Sequence, residues 1–457
     1  CSLCSQPVQS AKIMPMTEQK LNQVKPLSLK INEQHQISLG EIKVAELVKQ
    51  YGSPVYLLCE QTIRARAQAY TQAFQDNYPN HMVIYASKAL NCMAMCKIIE
   101  QEGLGLDVVS AGELHTALEA RFPTERIIFH GNNKSQDEVK LAINTSVTLV
   151  LDNRTELGFI EAQLAQDPSK SCKVLVRVTP GIECHTHEYI KTGKIDSKFG
   201  FNIEELDEII TRLKNNKQIT IRGLHAHIGS QIFETVPHKD TCKVLLQLYK
   251  EIKDKHGLEF EDINVGGGLG IMYTNQDDPP EIEDWVKIIA GSIKSNCKEL
   301  GLKEPRVLTE PGRSIVGPAG ITAYKVGNIK DIPNVRKYIA VDGGMADNAR
   351  PIMYQAEYLA EIDGKDPNKD TELVTVAGKY CESGDVLIRD IKLAKAAQDD
   401  ILVVYSTGAY NYSMASNYNR ATKPALVLVN NGQSHIMVQA EDIDDLLRND
   451  KMPVHLK

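Results

Sequence analysis

The chain has 457 residues, 42% of them hydrophobic and 24% charged, with a formal net charge of -7 and a pI of about 6.0. This is the composition of an ordinary globular protein, long enough for two or three domains of roughly 150 residues each. The acidic balance speaks against nucleic acid and anionic membrane as partners, and no apolar run approaches the ~18 residues of a spanning helix.

Residues 1–25 are expected to be a flexible segment. CSLCSQPVQSAKIMPMTEQK lacks an initiating Met and any apolar signal core. It reads as a processed end, a targeting remnant or an added tail, and it is set aside. The ten cysteines are scattered, without paired CxxC motifs at zinc spacing. Such usage in a large chain fits a reducing compartment. The expected location is the cytoplasm, or a plastid if the N-terminus is a transit remnant.

Residues 26–50 are expected to add a strand and a short helix to a later β domain. Residues 51–320 then alternate short apolar runs with longer helical patterns. Strands are predicted at 55–58, 82–85, 106–109, 127–130, 148–151, 174–178, 221–225, 263–265 and 306–309. Helices such as 60–78, 94–102 and 113–121 fit between them. This α/β alternation means a parallel sheet, and eight or nine units over ~265 residues fit a (β/α)8 TIM-like barrel. From 321 to 457 alternating runs broken by Gly, Pro and Asp predict a mainly β C-terminal domain, a barrel or sandwich.

In such a barrel the chemistry gathers at the C-terminal ends of the strands. The unusual residues fall there: Lys88, Asp107, Asn132, His227, the glycines 266–268 and Glu310. In VIYASKALN (83–91) a strand-type run stops on Lys88. A desolvated lysine at that position sheds its proton near neutral pH.

INVGGGLGI (263–271) closes a strand with three glycines, which lets backbone N–H groups approach an anion. A tight turn would use the same residues, and the spacing fits neither a Rossmann fingerprint nor a P-loop. LTEPGRSIVGP (308–318) sets Glu310 near that run. A carboxylate there makes sense if the far end of a bound phosphate ligand is a basic nitrogen. Facing a pyridine nitrogen, it keeps the ring protonated and makes it an electron sink. Arg313 suits a phosphate or a substrate carboxylate.

HAHIGSQ (225–231) offers two alternate histidines, as metal ligands or as an imidazole stacked on an aromatic ring. Ser230 is placed to donate to phosphate, and no third metal ligand follows at a typical spacing. GKYCESGDVL (378–387) holds Cys381, Glu382 and Asp385 in a polar turn, where a cysteine serves as an acid-base group. ARPIMYQAEY (349–358) offers Arg350 and Tyr354 as a carboxylate clamp. STGAYNYSMASNYNRATKP (406–424) offers Tyr410 as a pocket wall. Each of these stretches also reads as an ordinary turn or loop.

Nine motifs together carry a resemblance. YASKA, DVVSAGE (107–113), FHGNNKS (129–135), HTHEYIKTGKIDSKFGF (185–201), GLHAHIGSQI, NVGGGLG, TEPGRS, CESGD and YNRATKP occur in the order found in the diaminopimelate decarboxylases. These belong to the pyridoxal 5'-phosphate (PLP) decarboxylases that include eukaryotic ornithine decarboxylase and share a barrel with alanine racemase. The resemblance covers about residues 30–450. YASKA has Ser87 where many members carry Val.

The resemblance implies PLP-dependent decarboxylation of meso-2,6-diaminopimelate at its D-centre, giving L-lysine as the last step of lysine biosynthesis. It implies that Lys88 forms the Schiff base with PLP and that His227 stacks on the ring. Asp107, Ser230, Gly267, Gly268, Gly312 and Arg313 would belong to the cofactor's neighbourhood, and Glu310 to its pyridine nitrogen. Arg313, Arg350, Tyr354, Glu382 and Tyr410 would touch substrate, Tyr410 the cofactor as well. Cys381 would reprotonate the carbon that loses CO2. Family members are homodimers in which Cys381 and Glu382 would reach the partner's barrel. The expected partners are thus a small amino acid and a second copy, with no nucleic acid, membrane or metal. A decarboxylase of ornithine, arginine or carboxynorspermidine would share most motifs. A racemase would keep the barrel and Lys88 but need a second base. A non-catalytic relative would do without PLP.

Overall fold

The computed structural model describes residues 23–182 and 197–457. Most of HTHEYIKTGKIDSKFGF lies outside the described residues, as do Cys1, Cys4 and Cys184.

Eight parallel strands close into a barrel: β1 His81–Ala86, β2 Gly105–Val108, β3 Ile127–Phe129, β4 Thr148–Leu151, β5 Cys172–Arg177, β6 Ile219–His225, β7 Asp262–Asn264 and β8 Arg306–Thr309. β8 pairs with β1, Leu308 beside Met82, so no edge remains open. Side chains alternate with the period of two that a strand imposes. Val83, Tyr85, Leu106, Val108, Phe129, Leu149 and Val174 face outward under the helices. Ile84, Ile128, Val150, Leu175 and Leu308 face inward and form a separate apolar plug. A parallel sheet covered on both faces demands this continuous apolarity. Above the plug the inward positions turn polar: Asp107 in β2 and His225 in β6.

The helices of the outer ring carry local start and stop signals. Ser135 caps Gln136–Thr145 in a reciprocal box with Glu138. Left-handed Gly257 and Gly301 end Val236–His256 and Ile282–Leu300. Trp285 of the latter is buried edge-to-face on Tyr70, ring centroids 6.0 Å apart. Truncating it to alanine would cost about 3–5 kcal/mol. No helix among the described residues is long and apolar enough to cross a membrane.

One predicted barrel strand lies elsewhere. Val55–Cys59 pairs antiparallel with Gly320–Ile332 and parallel with Ala425–Asn430, in the sheet of the second domain. Its five residues are all buried. An apolar run covered on both faces reads the same in either sheet. The helix that follows, Glu60–Asn77, does join the outer ring, through Tyr70 on Trp285.

The spine of the second domain is Gly320–Ile332, which also pairs with Arg336–Val341 and Ile401–Val404. The N-terminal segment holds three short strands, Leu29–Ile31, Ile37–Leu39 and Ile42–Lys43, and the helix Val44–Tyr51. Its Leu39, Val44 and Leu47 share a core with Val55, Leu57, Ile321, Val403 and Val427.

Candidate active site

β1 ends at Ala86 and runs into a single 3-10 turn, Ser87–Ala89. From this turn Lys88 enters a cavity of about 860 Å³ at the C-terminal ends of the strands. His130, Arg177, Phe199, His225, His227, Ser230, Tyr273, Glu310 and Arg313 line it from the barrel side. Arg350, Tyr354 and Tyr410 line it from the second domain.

Lys88 Nζ donates to Asp107 Oδ2 at 3.5 Å. Strand pairing sets this up, because Asp107 is the β2 partner of Ala86. Burial pulls the Lys88 ammonium down, but Asp107, Tyr410 and Glu310 pull it up by more, and the net shift is upward. This corrects the expectation of a lysine that sheds its proton near neutral pH. The barrel leaves the Lys88 side chain 40% exposed to the cavity and surrounds it with acidic groups.

Glu310 follows β8 and is buried. Its Oε1 pairs with His130 Nε2 at 2.8 Å and accepts from Asn264 Nδ2 at 2.7 Å. Its Oε2 pairs with His225 Nε2 at 3.1 Å. Burial alone would raise the Glu310 carboxyl, but the two imidazoles reverse this and hold it well below the usual carboxylate range. Burial pushes His225 down to about 4, so it is a neutral imidazole. The alternate histidines do not converge as a metal pair. His225 turns to Glu310, whereas His227 Nδ1 accepts the Gly267 N–H at 3.3 Å. The ligand atoms of His130, His225 and Glu310 lie within 4.8 Å of one another, an arrangement their own hydrogen bonding accounts for.

The glycine run is required by close approach. A Cβ on Gly267 would fall 2.1 Å from the Glu310 carbonyl oxygen. Gly268, at φ +117°, would place one 2.6 Å from the Gly229 carbonyl oxygen. Gly312 precedes the short helix Arg313–Val316. Arg313 donates through Nε and Nη2 to Ser230 Oγ, at 3.2 and 2.9 Å, and through Nη1 to Tyr273 OH at 2.6 Å. Its guanidinium lies over the Tyr410 ring, 4.8 Å from the centroid. The Tyr410 N–H donates to Ala89 O at 2.8 Å, tying its loop to the Lys88 turn. Arg350 Nη1 donates to Tyr358 OH at 2.8 Å.

Cys381 and Glu382 are not brought to this cavity. Cys381 is exposed, with its N–H on Asn419 Oδ1 at 2.9 Å, and Glu382 Oε1 accepts the Gly384 N–H at 3.0 Å. Two buried carboxylates tie their turn to the loop that leads into Arg350. Asp347 accepts from Tyr324 OH at 2.7 Å, from the Gly344 N–H at 2.8 Å and from Tyr380 OH at 3.4 Å. Asp385 accepts the N–H groups of Met345 and Tyr380 at 2.7 and 2.8 Å. Burial pushes the Asp347 carboxyl up to about 7, against the opposing pull of Tyr324 and Gly344.

His130, Arg177, Asn264 and Tyr273 join the cavity or its support without having been singled out in the sequence. His130 ends a predicted strand, the same signal that marks Glu310, and Asn264 precedes the glycine run. Tyr273 lies on an irregular stretch and carries no such signal.

Residues 60–317 match the family described as pyridoxal-dependent decarboxylase, pyridoxal binding domain. The chain is 50% identical to the diaminopimelate decarboxylase of Synechocystis sp., covering 94% of this chain and 93% of that one. It is 43% identical to that of Bacillus subtilis, covering 92% and 96%. Among solved structures, the diaminopimelate decarboxylase of M. jannaschii in complex with L-lysine superposes with a TM-score of 0.88 at 32% identity, covering 94% and 99%.

The residues present fit PLP. Lys88 offers an amine for its aldehyde, and the buried anionic Glu310 suits a protonated ring nitrogen. Ser230, Arg313 and the glycine floor suit its phosphate. Arg313 is buried, and no carboxylate lies within ion-pair distance of it among the described residues. Sequence, fold and cavity agree, and the chain belongs to the diaminopimelate decarboxylases of the pyridoxal-dependent decarboxylase family.

Proposed function

We propose that this chain decarboxylates meso-2,6-diaminopimelate at its D-centre, with PLP as cofactor, and releases L-lysine and CO2. The supporting observation is one cavity that combines Lys88 and the buried anionic Glu310 with two buried guanidiniums, Arg313 and Arg350. The first pair suits PLP, and the second suits the anionic groups of cofactor and substrate. When bound, PLP supplies an aldehyde that captures an amine and a ring that accepts the electron pair left by CO2.

Lys88 would hold the cofactor through its side-chain amine, and Asp107 keeps the Lys88 ammonium in place. Glu310, ionised, would hold a proton on the ring nitrogen, and His227 would support the ring. Ser230, Gly267, Gly268, Gly312 and Arg313 would hold the phosphate, and Tyr410 would contact both cofactor and substrate. Arg350 and Tyr354 take the distal carboxylate, with Arg313 in reach. Cys381 delivers a proton to the α-carbon after CO2 leaves, and Glu382 takes the distal ammonium. Both lie outside their own chain's cavity, so we assign them to the cavity of a second copy, and the working unit is a homodimer. Its place is a reducing compartment, cytoplasm or plastid.

The test is CO2 release from meso-diaminopimelate by the purified protein, set against the L,L isomer, L-ornithine and L-arginine. Turnover of the meso compound alone is expected, and Lys88→Ala should abolish it. A protein that leaves meso-diaminopimelate intact, or a Lys88→Ala variant that still turns it over, overturns the proposal.

A further inference from the structure

Tyr273 is buried on the stretch that follows the glycine run. Its own N–H and that of Thr274 donate to Asp277 Oδ2, at 2.9 and 2.8 Å, so its loop fixes its position. On one side Arg313 Nη1 reaches its hydroxyl at 2.6 Å. On the other the Arg350 guanidinium lies over its ring, 4.7 Å from the centroid. Arg350 continues the stack to Tyr358, whose ring meets that of Tyr273 edge-to-face at 5.4 Å. Cations and phenols thus alternate from the cavity wall at Arg313, Tyr273 and Arg350 to the buried Tyr358 behind it.

Both guanidiniums are buried, and among the described residues neither has a carboxylate within ion-pair distance. Buried cations demand anionic or strong acceptor partners. Within the chain Tyr273 meets both, its hydroxyl accepting from Arg313 Nη1 and its ring lying under the Arg350 guanidinium.

The geometry points to Tyr273 as a specificity-determining residue: with Arg313 on its hydroxyl and Arg350 on its ring face, it holds the two guanidiniums at the spacing that receives a substrate's distal carboxylate. This rests on the diaminodicarboxylate reading of the cavity. The charge environment agrees with it. Burial alone would raise Tyr273, but Arg313 and Arg350 reverse this and hold it below the ordinary tyrosine value. Tyr358, further along the stack, goes up, with burial the largest cause. A phenol that accepts from one guanidinium and stacks under the other keeps two like charges side by side before substrate arrives. The substrate carboxylate then meets a preformed pair.

The experiment compares wild-type and Tyr273→Phe holoenzymes. KM for meso-diaminopimelate should rise about tenfold, with kcat changed by less than about threefold and the visible cofactor absorbance retained. A second readout needs no turnover. Ultraviolet difference titration of the apoenzyme should show one tyrosine ionising below the ordinary range. Tyr273→Phe should lack that titration, and Arg350→Met should move it upward. An unchanged KM in Tyr273→Phe, or the same titration in wild type and Tyr273→Phe, overturns the proposal. Failure of the wild type on meso-diaminopimelate, with the low titration present, would sink the substrate reading and the carboxylate role together while leaving the arginine–tyrosine stack in place.

Discussion

His225 Nε2 and Glu310 Oε2 face each other at 3.1 Å, both side chains buried. An ionised carboxylate only accepts, so the neutral imidazole donates from Nε2 and carries no proton on Nδ1. That Nδ1 faces no acceptor among the described residues, so nothing there calls for a proton on it. The charge of Glu310 is thus fixed by donors that are themselves fixed. In Glu310→Gln the amide cannot stay anionic, and one imidazole faces a donor. The expected result is a fall in kcat of about 10²–10³-fold, with cofactor still bound. Steady-state kinetics beside the absorbance spectrum check it.

Asp107 raises Lys88 against the pull of burial. In Asp107→Asn burial acts with less opposition, and the lysine moves down. A larger fraction of free amine at neutral pH should speed the capture of PLP by apoenzyme. Stopped-flow reloading between pH 6 and 9 reads this directly. Capture at pH 7 that is no faster than wild type removes Asp107 as the controlling charge.

Asp347 makes stability depend on pH. Its carboxyl titrates at about 7 when folded, against about 3.9 unfolded. The folded state therefore keeps a proton that the unfolded state releases. The stabilisation is full below about pH 4 and is lost as pH rises through 7. Asp347→Asn keeps a neutral amide at every pH. Relative to the variant, the wild type should lose melting temperature between pH 5 and 8. Parallel melting curves across that window would count against a protonated Asp347.

The shared-site proposal makes a quantitative demand. Lys88→Ala and Cys381→Ala homodimers should each be nearly inactive. In a heterodimer of the two, one cavity carries both lesions and the other carries none. Co-expression in equal amounts should restore about a quarter of wild-type activity. Activity no greater than that of the parents would place both residues in one chain's cavity.

Much of this was readable in the chain, for identifiable reasons. Lys88, His227 and Glu310 stood out because a polar residue closing an apolar strand points at the mouth of a barrel. Val55–Cys59 was misplaced because complete burial erases the alternation that separates one sheet from another. The charge of Lys88 was misjudged because it is set by Asp107, a neighbour across the β1–β2 pairing rather than along the chain. Tyr273 was invisible because an irregular stretch has no period, and its meaning lies in two arginines that arrive from Arg313–Val316 and from the second domain.

The position of Val55–Cys59 between Gly320–Ile332 and Ala425–Asn430 has a consequence for how the protein is made. The chain leaves the second domain, completes the barrel and then returns. On the ribosome this fully apolar strand emerges early and waits for both neighbours until the barrel is finished. Until then its unpaired backbone is an adhesive edge. Synthesis halted near residue 320 would release a finished barrel with a sticky arm. The last strands of the protein are therefore the guardians of one of its first.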